Sequence, residues 1–319
     1  MKKNFSTLTG LFFKPTAPET LAFFRIAVSA FALVQLFVLL PDWMWFYGPK
    51  GLIPWQISDA LNTANTPSLF VIASFLTRLH ISANATVYIV TSIYFLALCG
   101  LLIGFKTRLM GVLAWLLHIV LNTTAHFTVY GVETFLHIAL FYCAVLPVGC
   151  CISFDAKRKS KNIPSYLITL SIRLIQLHLC IMYLACGIEK SMGAQWWNGE
   201  AIWIALQQDQ FHQVNTGWMA SVPIVPKLLG WGTLIVETLY TVNIFYKRTK
   251  KVWLLSIIGM HAFIAVFLGL YLFGSLMILL NLTAFGNHCF PALFSLKSKL
   301  AFVEPEINYA NAAPQLLPA

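Results

Sequence analysis

The most chemically suggestive residues of this chain are the neighbours Glu189 and Lys190, which stand where an apolar run meets an aromatic segment. Residues 183–203 read Y-L-A-C-G-I-E-K-S-M-G-A-Q-W-W-N-G-E-A-I-W. Ionisable groups at the edge of a membrane span are costly to desolvate and are therefore candidates for a functional site, while the tryptophans fix their depth at the interface. A plainer interpretation is that Lys190 snorkels at a helix end, with Glu189 as a solvated neighbour.

Four further ionisable residues lie inside apolar runs at similar predicted depth. At about 1.5 Å per helical residue, Glu237, His261 and His118 each lie about 15 Å from the basic residues that mark one end of their helices. Arg173 lies about 14 Å beyond Pro164 on the same count. A midplane pair of Glu237 with Arg173 or with His261 is therefore geometrically allowed. Such groups either tie helices together through hydrogen bonds or line a polar cavity for a head group or a proton path.

Two stretches carry histidines at helical spacing. His118, Asn122 and His126 recur every four residues on one predicted helix, and Glu133 and His137 form a similar pair on the next. This spacing could hold a metal between two helices. There is no H-E-x-x-H motif and no C-x-x-C pair, so we expect hydrogen-bonded histidines and no metal. The seven cysteines lie in or beside apolar runs and are expected to be small buried hydrophobic residues.

The composition defines the elements that must position these residues. Hydrophobic residues make up 59% of the chain, charged residues 10%, and the mean hydropathy is +0.75, which is typical of a polytopic membrane protein. We predict an all-α bundle of about eight spans, and whether residues 252–288 form two full spans stays open. The first span is too long for a cleavable signal and is expected to remain. The predicted spans are 19–40, 84–104, 109–126, 132–151, 165–188, 224–246, 252–269 and 271–288.

Charge predicts the orientation. Most of the 21 basic residues fall on one side of an eight-span arrangement, so the positive-inside rule places both termini in the cytoplasm. The net charge of +10 is then a topology signal and an affinity for anionic lipid. Nucleic-acid binding is not expected, because these residues sit in short loops between helices.

The remaining chain reads as one membrane domain, residues 1–319, with polar tails at 1–18 and 305–319. The two long outer loops, 41–83 and 189–223, are expected to lie along the interface. The first contains P-D-W-M-W-F-Y-G-P-K-G-L-I-P-W and resembles a lid or rim, and the second is predicted to contain a short interfacial helix within 199–213.

Several stretches resemble the membrane region of vitamin K-dependent gamma-glutamyl carboxylase and the wider horizontally transferred transmembrane (HTTM) domain family. The resemblance covers most of the chain, and the segment around Lys190 is its specific part. The matching stretches are F-F-R-I-A, F-Y-G-P-K-G-L-I-P, L-C-G-L-L-I-G-F-K-T-R-L, L-P-V-G-C-C-I-S-F-D, M-Y-L-A-C-G-I-E-K-S-M-G-A-Q-W-W-N-G-E-A and H-A-F-I-A-V-F-L-G-L-Y-L-F-G-S-L-M.

The resemblance implies roles for individual residues. In the carboxylase, the lysine matched by Lys190 is regarded as the base that deprotonates vitamin K hydroquinone, and a base must be neutral to accept a proton. Glu189 stands where the carboxylase has a second lysine, and Glu133 where it has a histidine implicated in catalysis. Together with the residues singled out above from their position in the spans and in the aromatic segment, the candidate catalytic residues are Lys190, His261, Glu237 and Glu133, and the candidate cofactor-binding residues are Trp196, Trp197, Arg173 and His118.

Two functional hypotheses follow. One is an integral membrane enzyme, carboxylase-like or lyase-like, that uses a quinone, a hydroquinone or another lipid-soluble cofactor with Lys190 as base at the outer face. The other is a non-catalytic maturation factor for a secreted peptide, as in the short single-domain members that resemble SdpB proteins. The expected partners are the lipid bilayer, a peptide or protein substrate at the outer face, and a small partner protein. The expected location is the bacterial inner membrane.

Overall fold

The computed structural model describes residues 16–62, 66–158, 164–211 and 213–289. The predicted C-terminal tail and most of the N-terminal one lie outside these residues. Throughout the described ranges the regular structure is helical, with no strand. The α-helices are α1 (Glu19–Leu39), α2 (Trp43–Tyr47), α3 (Trp55–Ala60), α4 (Leu69–Leu76), α5 (Ala83–Ile103), α6 (Thr107–Thr124), α7 (Gly131–Val145), α8 (Phe154–Arg158), α9 (Ser165–Ser191), α10 (Ala194–Asn198), α11 (Glu200–Gln207), α12 (Ile224–Thr238), α13 (Tyr240–Asn243), α14 (Lys250–Phe267) and α15 (Tyr271–Phe285).

The lengths of these helices support an integral membrane protein. Within the described residues, four helical stretches are long and apolar enough to cross a membrane: Glu19–Tyr47, Ala83–Ile103, Ser165–Ser191 and Lys250–Phe267. The other predicted spans correspond to α6, of 18 residues, and to α7, α12 and α15, of 15 residues each. The all-helical prediction is confirmed, and the count of eight spans stays a prediction.

The outward faces of the long helices are apolar. Phe37, Leu96 and Ile181 each expose more than half of their surface, on α1, α5 and α9 respectively. A hydrophobic surface of this kind is compatible with lipid and would be unfavourable in water.

The helices form two groups joined at the centre. Helix α6 packs against α5 and α7, and α1 packs against α5 and α7. In the second group α9 packs against α12, and α14 against α15. Helix α1 also contacts α9 and α15, and α15 contacts α7. Side chains on α1 and α15 therefore connect the two halves of the bundle.

One predicted span is interrupted. The sequence predicts a helix over 224–246, but α12 ends at Thr238 and a short α13 follows. The indole N–H of Trp253 donates to the carbonyl of Val236 at 3.0 Å, so a carbonyl near the break is bonded by a side chain. The last turn of α12, immediately before the break, packs against α9.

The predicted interfacial helix in the second outer loop is also shorter than 199–213. It comprises α11 and, after Gln208, a 3₁₀ turn at Asp209–Phe211. Leu206 is the buried residue of α11. Residues 41–83, predicted to form the first outer loop, contain α2, α3 and α4.

Three segments that are distant in the sequence meet at one end of the bundle: α1, the turn between α5 and α6, and the segment that follows α7. We call this the basic end because Lys106 and Lys157 lie there. The residue preceding α6 provides no side-chain cap, and Asp155 supplies one from the first turn of α8. Its carboxylate accepts hydrogen bonds from the backbone N–H of Lys106 at 2.9 Å and of Thr107 at 2.7 Å. Partial burial opposes ionisation, but these bonds, with one from the Thr107 hydroxyl, hold the pKa of Asp155 below its usual value.

Arg25 of α1 completes the basic end. Its side chain is fully buried, and its Nη2 donates to the carbonyl of Ile152 at 2.6 Å. Gly104 ends α5 with φ +73°, and a side chain at this position would overlap the Arg25 guanidinium and Ser153. Glycine is thus required here both by the backbone conformation and by the close approach of the arginine.

Candidate functional site

The candidate site is built where α9 and α12 cross closely. A Cβ added at Gly187 would lie 2.7 Å from Oγ1 and 2.8 Å from the backbone N of Thr238. The absence of a side chain at Gly187 therefore allows the two backbones to approach, as small residues do at membrane helix interfaces. Lys190 follows one turn later on α9, and Glu237 directly precedes Thr238 on α12.

Lys190 and Glu237 form an ion pair at this crossing. The Lys190 Nζ donates to Glu237 Oε2 at 2.6 Å, and the side chains are 25% and 6% exposed. The Nζ also lies 5.5 Å from the ring centre of Trp196, within range for a cation–π interaction. The pairings of Glu237 with Arg173 or His261 that the sequence allows are not among the described contacts, in which the carboxylate is bonded to Lys190.

The tryptophan segment is fixed by backbone contacts with α12. Gly199 has φ +90°, and a Cβ there would lie 2.7 Å from the Lys227 backbone N. The indole N–H of Trp197 donates to the Ser191 carbonyl at 2.7 Å, and the indole N–H of Trp231 donates to the Trp197 carbonyl at 2.9 Å. Trp196 is thereby held beside Lys190, whereas the half-exposed Trp197 anchors the segment through its indole N–H and its backbone carbonyl.

A buried polar network lies on the same face of α9, two turns before Lys190. The hydroxyl of Tyr183 is 2.9 Å from Nε2 of His261 and accepts from the Asn281 side-chain amide at 2.7 Å. The hydroxyl of Tyr240 donates to the Asn281 carbonyl oxygen at 2.6 Å. Nδ1 of His261 is buried without a partner among the described residues. His261 is thus part of a network linking α9, α13, α14 and α15.

The sequence did not single out Tyr183, Tyr240 or Asn281. A signal existed for Tyr183, because a residue seven positions before Lys190 lies on the same face of a helix. Asn281 is a lone amide in an apolar span, which is costly unless it is bonded. The partners of these groups come from different helices, so the sequence pattern alone could not pair them.

Arg173 lies apart from the ion pair. Its Nη1 donates to the Gln176 side chain at 2.6 Å, and Gln176 donates to the carbonyl of Ala284 at 2.6 Å. Its Nε is buried without a partner among the described residues. Arg173 therefore participates in the contact of α9 with α15, and the described contacts do not bring it to Lys190.

Glu133 and His118 lie in the other half of the bundle. Glu133 accepts from the backbone N–H of Tyr130 at 3.0 Å and from the Gln35 side chain at 3.1 Å, so its carboxylate caps α7 and ties it to α1. The His118 ring lies 3.3 Å from the Tyr94 hydroxyl and 3.2 Å from the Glu133 carbonyl. These contacts make Glu133 and His118 structural partners, separate from the contacts around Lys190.

The helical histidine spacing does not assemble a metal centre within the described ranges, where no three His, Cys, Asp or Glu side chains are placed to hold an ion. His137 accepts from the indole N–H of Trp115 at 3.2 Å. His126 lies 3.3 Å from the Ser58 hydroxyl. Each of these histidines is engaged in a helix–helix or helix–loop contact.

The arrangement around Lys190 is suited to moving a proton. An ammonium and a carboxylate at hydrogen-bond distance can exchange a proton between ionic and neutral forms, and the partly exposed Lys190 is the member that another molecule could reach. Comparison with protein-family models, with curated protein sequences and with solved structures finds no match to this chain.

Proposed function

We propose that this protein is an integral membrane enzyme that removes a proton from a lipid-soluble, weakly acidic molecule of the hydroquinone class, with Lys190 as the base. The observation that carries this proposal is the Lys190–Glu237 pair, a carboxylate and an amine 2.6 Å apart with one member accessible. Trp196 beside the amine offers an aromatic surface for a ring-shaped ligand.

The proton steps follow from the pair. The proton of the Lys190 ammonium passes to the Glu237 carboxylate along their hydrogen bond, which leaves a neutral amine and a neutral carboxylic acid. The hydroxyl of the substrate then gives its proton to the amine, and the substrate anion faces the regenerated ammonium. Glu237 serves as the proton store that allows Lys190 to act as a base, and its burial keeps water from competing for that proton.

The membrane arrangement belongs to the same proposal. We place eight spans in a bacterial inner membrane with both termini in the cytoplasm, so that the basic end faces the cytoplasm and the Lys190 segment the outer side. The support is the positive charge at the basic end, where Lys106, Lys157, Lys247 and Arg248 lie in turns or short helices between the long ones. A reporter fused after residue 158 should read as cytoplasmic, and a periplasmic reading would reverse the orientation.

The test is mass spectrometry of lipids and quinones that copurify with the detergent-solubilised protein. Wild type is compared with Lys190→Met and with Lys227→Met. Lys227 is the matched control because its Nζ also lies over a tryptophan, 5.3 Å from the ring centre of Trp231, but makes no described salt bridge. We expect a quinone in wild type and Lys227→Met that Lys190→Met lacks.

A double variant, Lys190→Met with Glu237→Leu, separates loss of binding chemistry from loss of folding. It removes both charges without stranding either, so it should fold and still lack the quinone. Retention of the quinone by both Lys190 variants would contradict the proposed site.

The second candidate is a non-catalytic maturation factor for a secreted peptide. The observation in its favour is that Lys190 and Glu237 satisfy each other and that the Tyr183 network is internally bonded, as a purely structural core would be. Absence of an enriched small molecule in wild type, with a peptide or small protein copurifying instead, would favour this role.

A further inference from the structure

Two positively charged side chains without a negative partner lie where α9 and α14 both contact α15. They are Arg173, about two turns into α9, and Lys250, the first residue of α14, and both are half-buried. Within the described residues the ion pair is Lys190–Glu237 alone, so no carboxylate neutralises either of them. Unpaired cations among apolar helices are costly and therefore mark a candidate site for a ligand.

Both cations are held against the last turn of α15. The Arg173 Nη1 donates to the Gln176 side chain at 2.6 Å, and the Gln176 amide donates to the carbonyl of Ala284 at 2.6 Å. The Lys250 Nζ lies 5.8 Å from the ring centre of Phe285, the next residue. The two positive charges are close enough to repel each other. Residues 284–285 thus position both cations on one side of α15.

The two side chains also retain unused hydrogen-bond donors. The Nε of Arg173 is buried without a partner among the described residues, and the Lys250 ammonium makes its described contact with a ring face rather than with an acceptor atom. A buried donor without an acceptor is costly, and an anion with several oxygen atoms removes that cost. A guanidinium binds phosphate through directed hydrogen bonds and an ammonium binds it as a point charge, so the pair suits a phosphate group.

The surface beside Arg173 indicates which phosphate compound fits. Leu170 and Leu177, three residues before and four residues after Arg173, share its face of α9 and are 53% and 48% exposed. The acyl chains of a phospholipid can cover these leucines while its phosphate reaches the cations, whereas free phosphate makes no use of them. Basic pockets between membrane helices bind the head groups of anionic lipids in this way.

We propose that Arg173 and Lys250 form a binding site for the phosphodiester group of an anionic phospholipid of the phosphatidylglycerol class. The ammonium group of a zwitterionic lipid would bring a third positive charge beside these two, so the site selects lipids with a net negative charge. The bound lipid connects α9 to α14 across the end of α15. The site does not depend on the chemistry proposed for Lys190.

The first measurement compares two lipids on the detergent-solubilised, delipidated full-length protein. Native mass spectrometry gives the dissociation constants of dioleoylphosphatidylglycerol and dioleoylphosphatidylcholine. We expect the first to bind at least about tenfold more tightly, and equal affinities would overturn the selectivity. Millimolar inorganic phosphate is then added as a competitor. It should leave the bound lipid in place, and displacement would assign the site to free phosphate and refute the lipid as its occupant.

Lys250→Gln and Lys251→Gln are the matched pair of variants. Both remove one charge at the start of α14, but Lys251 is exposed and Lys250 lies against Phe285. We expect Lys250→Gln to weaken phosphatidylglycerol binding about tenfold and Lys251→Gln to weaken it less than about twofold, because exposed charges are screened. Equal losses would indicate diffuse attraction to a basic surface and overturn the site.

Arg173 is tested with a pair of its own. Arg173→Gln should weaken phosphatidylglycerol binding about tenfold, and Arg173→Lys, which keeps the charge, should weaken it less. A folded Arg173→Gln protein with wild-type affinity would refute the role of Arg173. If that variant does not fold, thermal unfolding of the Lys250 and Lys251 variants still decides. Phosphatidylglycerol should raise the unfolding midpoint of wild type and Lys251→Gln more than that of Lys250→Gln, and equal rises would refute the site.

Discussion

Removing either member of the ion pair at the crossing of α9 and α12 should destabilise the protein, but by different amounts. Lys190→Met leaves the Glu237 carboxylate, which is 6% exposed, without its partner. Glu237→Leu leaves Lys190, which is 25% exposed and can turn towards water. We expect Lys190→Met to lower the free energy of unfolding by about 3 kcal/mol and Glu237→Leu by about 1 kcal/mol.

The magnitude of the coupling follows from the geometry. Two unit charges 2.6 Å apart attract by roughly 6 kcal/mol at an effective dielectric constant of about 20, before desolvation is counted. Desolvation of Glu237 and the partial exposure of Lys190 offset most of this, which leaves a coupling of about 2 kcal/mol. The double variant should therefore lose about 2 kcal/mol rather than the 4 kcal/mol or so that independent sites would lose.

The assay is equilibrium unfolding in mixed micelles with an increasing fraction of sodium dodecyl sulfate, followed by circular dichroism. Lys227→Met combined with Glu237→Leu is the control cycle, and its two effects should add. If the Lys190 and Glu237 effects also add to within about 0.5 kcal/mol, the two side chains do not interact in the folded protein and the reasoning fails.

Three more outcomes are expected in the same unfolding assay. Gly187→Ala should destabilise the protein by about 1–3 kcal/mol because its methyl group meets the α12 backbone. Gly259→Ala, with open space around it in α14, should stabilise the protein by up to about 1 kcal/mol through the helix preference of alanine; equal destabilisation by both would contradict the close crossing. Tyr183→Phe should cost about 2 kcal/mol because its hydrogen-bond partners are buried, against almost nothing for the exposed Tyr246→Phe. Asp155→Ala should cost about 1 kcal/mol at neutral pH. Because the folded pKa of Asp155 is depressed, this advantage is complete above its unfolded pKa of about 3.9 and disappears as the pH falls through the folded pKa; a pH-independent difference would argue against the cap.

The sequence singled out Lys190, Glu237 and Trp196, which the structure brings together at the α9–α12 crossing, but it did not predict their pairing. Lys190 and Trp196 could be singled out because a charge and a tryptophan belt at the end of an apolar run are local signals. Glu237 was assigned to the midplane by counting along an unbroken helix from Lys247, and the break after Thr238 makes that count invalid. The helical count had placed Glu237 at the midplane and Lys190 at the edge of a span. In the structure the long side chain of Lys190 reaches the Glu237 carboxylate.

The roles of Glu133 and Asp155 could not be predicted for a different reason. Glu133 completes a capping box, but Tyr130 stands at the cap position where serine or threonine would have signalled one. Asp155 caps a helix that begins 48 residues earlier, and no local pattern reports on such a contact. Contacts of this kind depend on how helices are arranged in three dimensions.

The capping of α6 by Asp155 also has a consequence for biosynthesis. The ribosome completes Thr107 before Asp155, and the 48 residues between them take roughly 2–10 s at about 5–20 residues per second. During that time the first amide groups of α6 have no protein partner. In the proposed eight-span arrangement, the hairpin of α5 and α6 would therefore insert before the capping carboxylate has been made, and we expect it to reach its full stability only when the start of α8 emerges. Helices α5, α6 and α7 are thus expected to mature as one insertion unit, so a truncation between α6 and the turn after α7 should leave a nascent chain exposed to quality-control proteases.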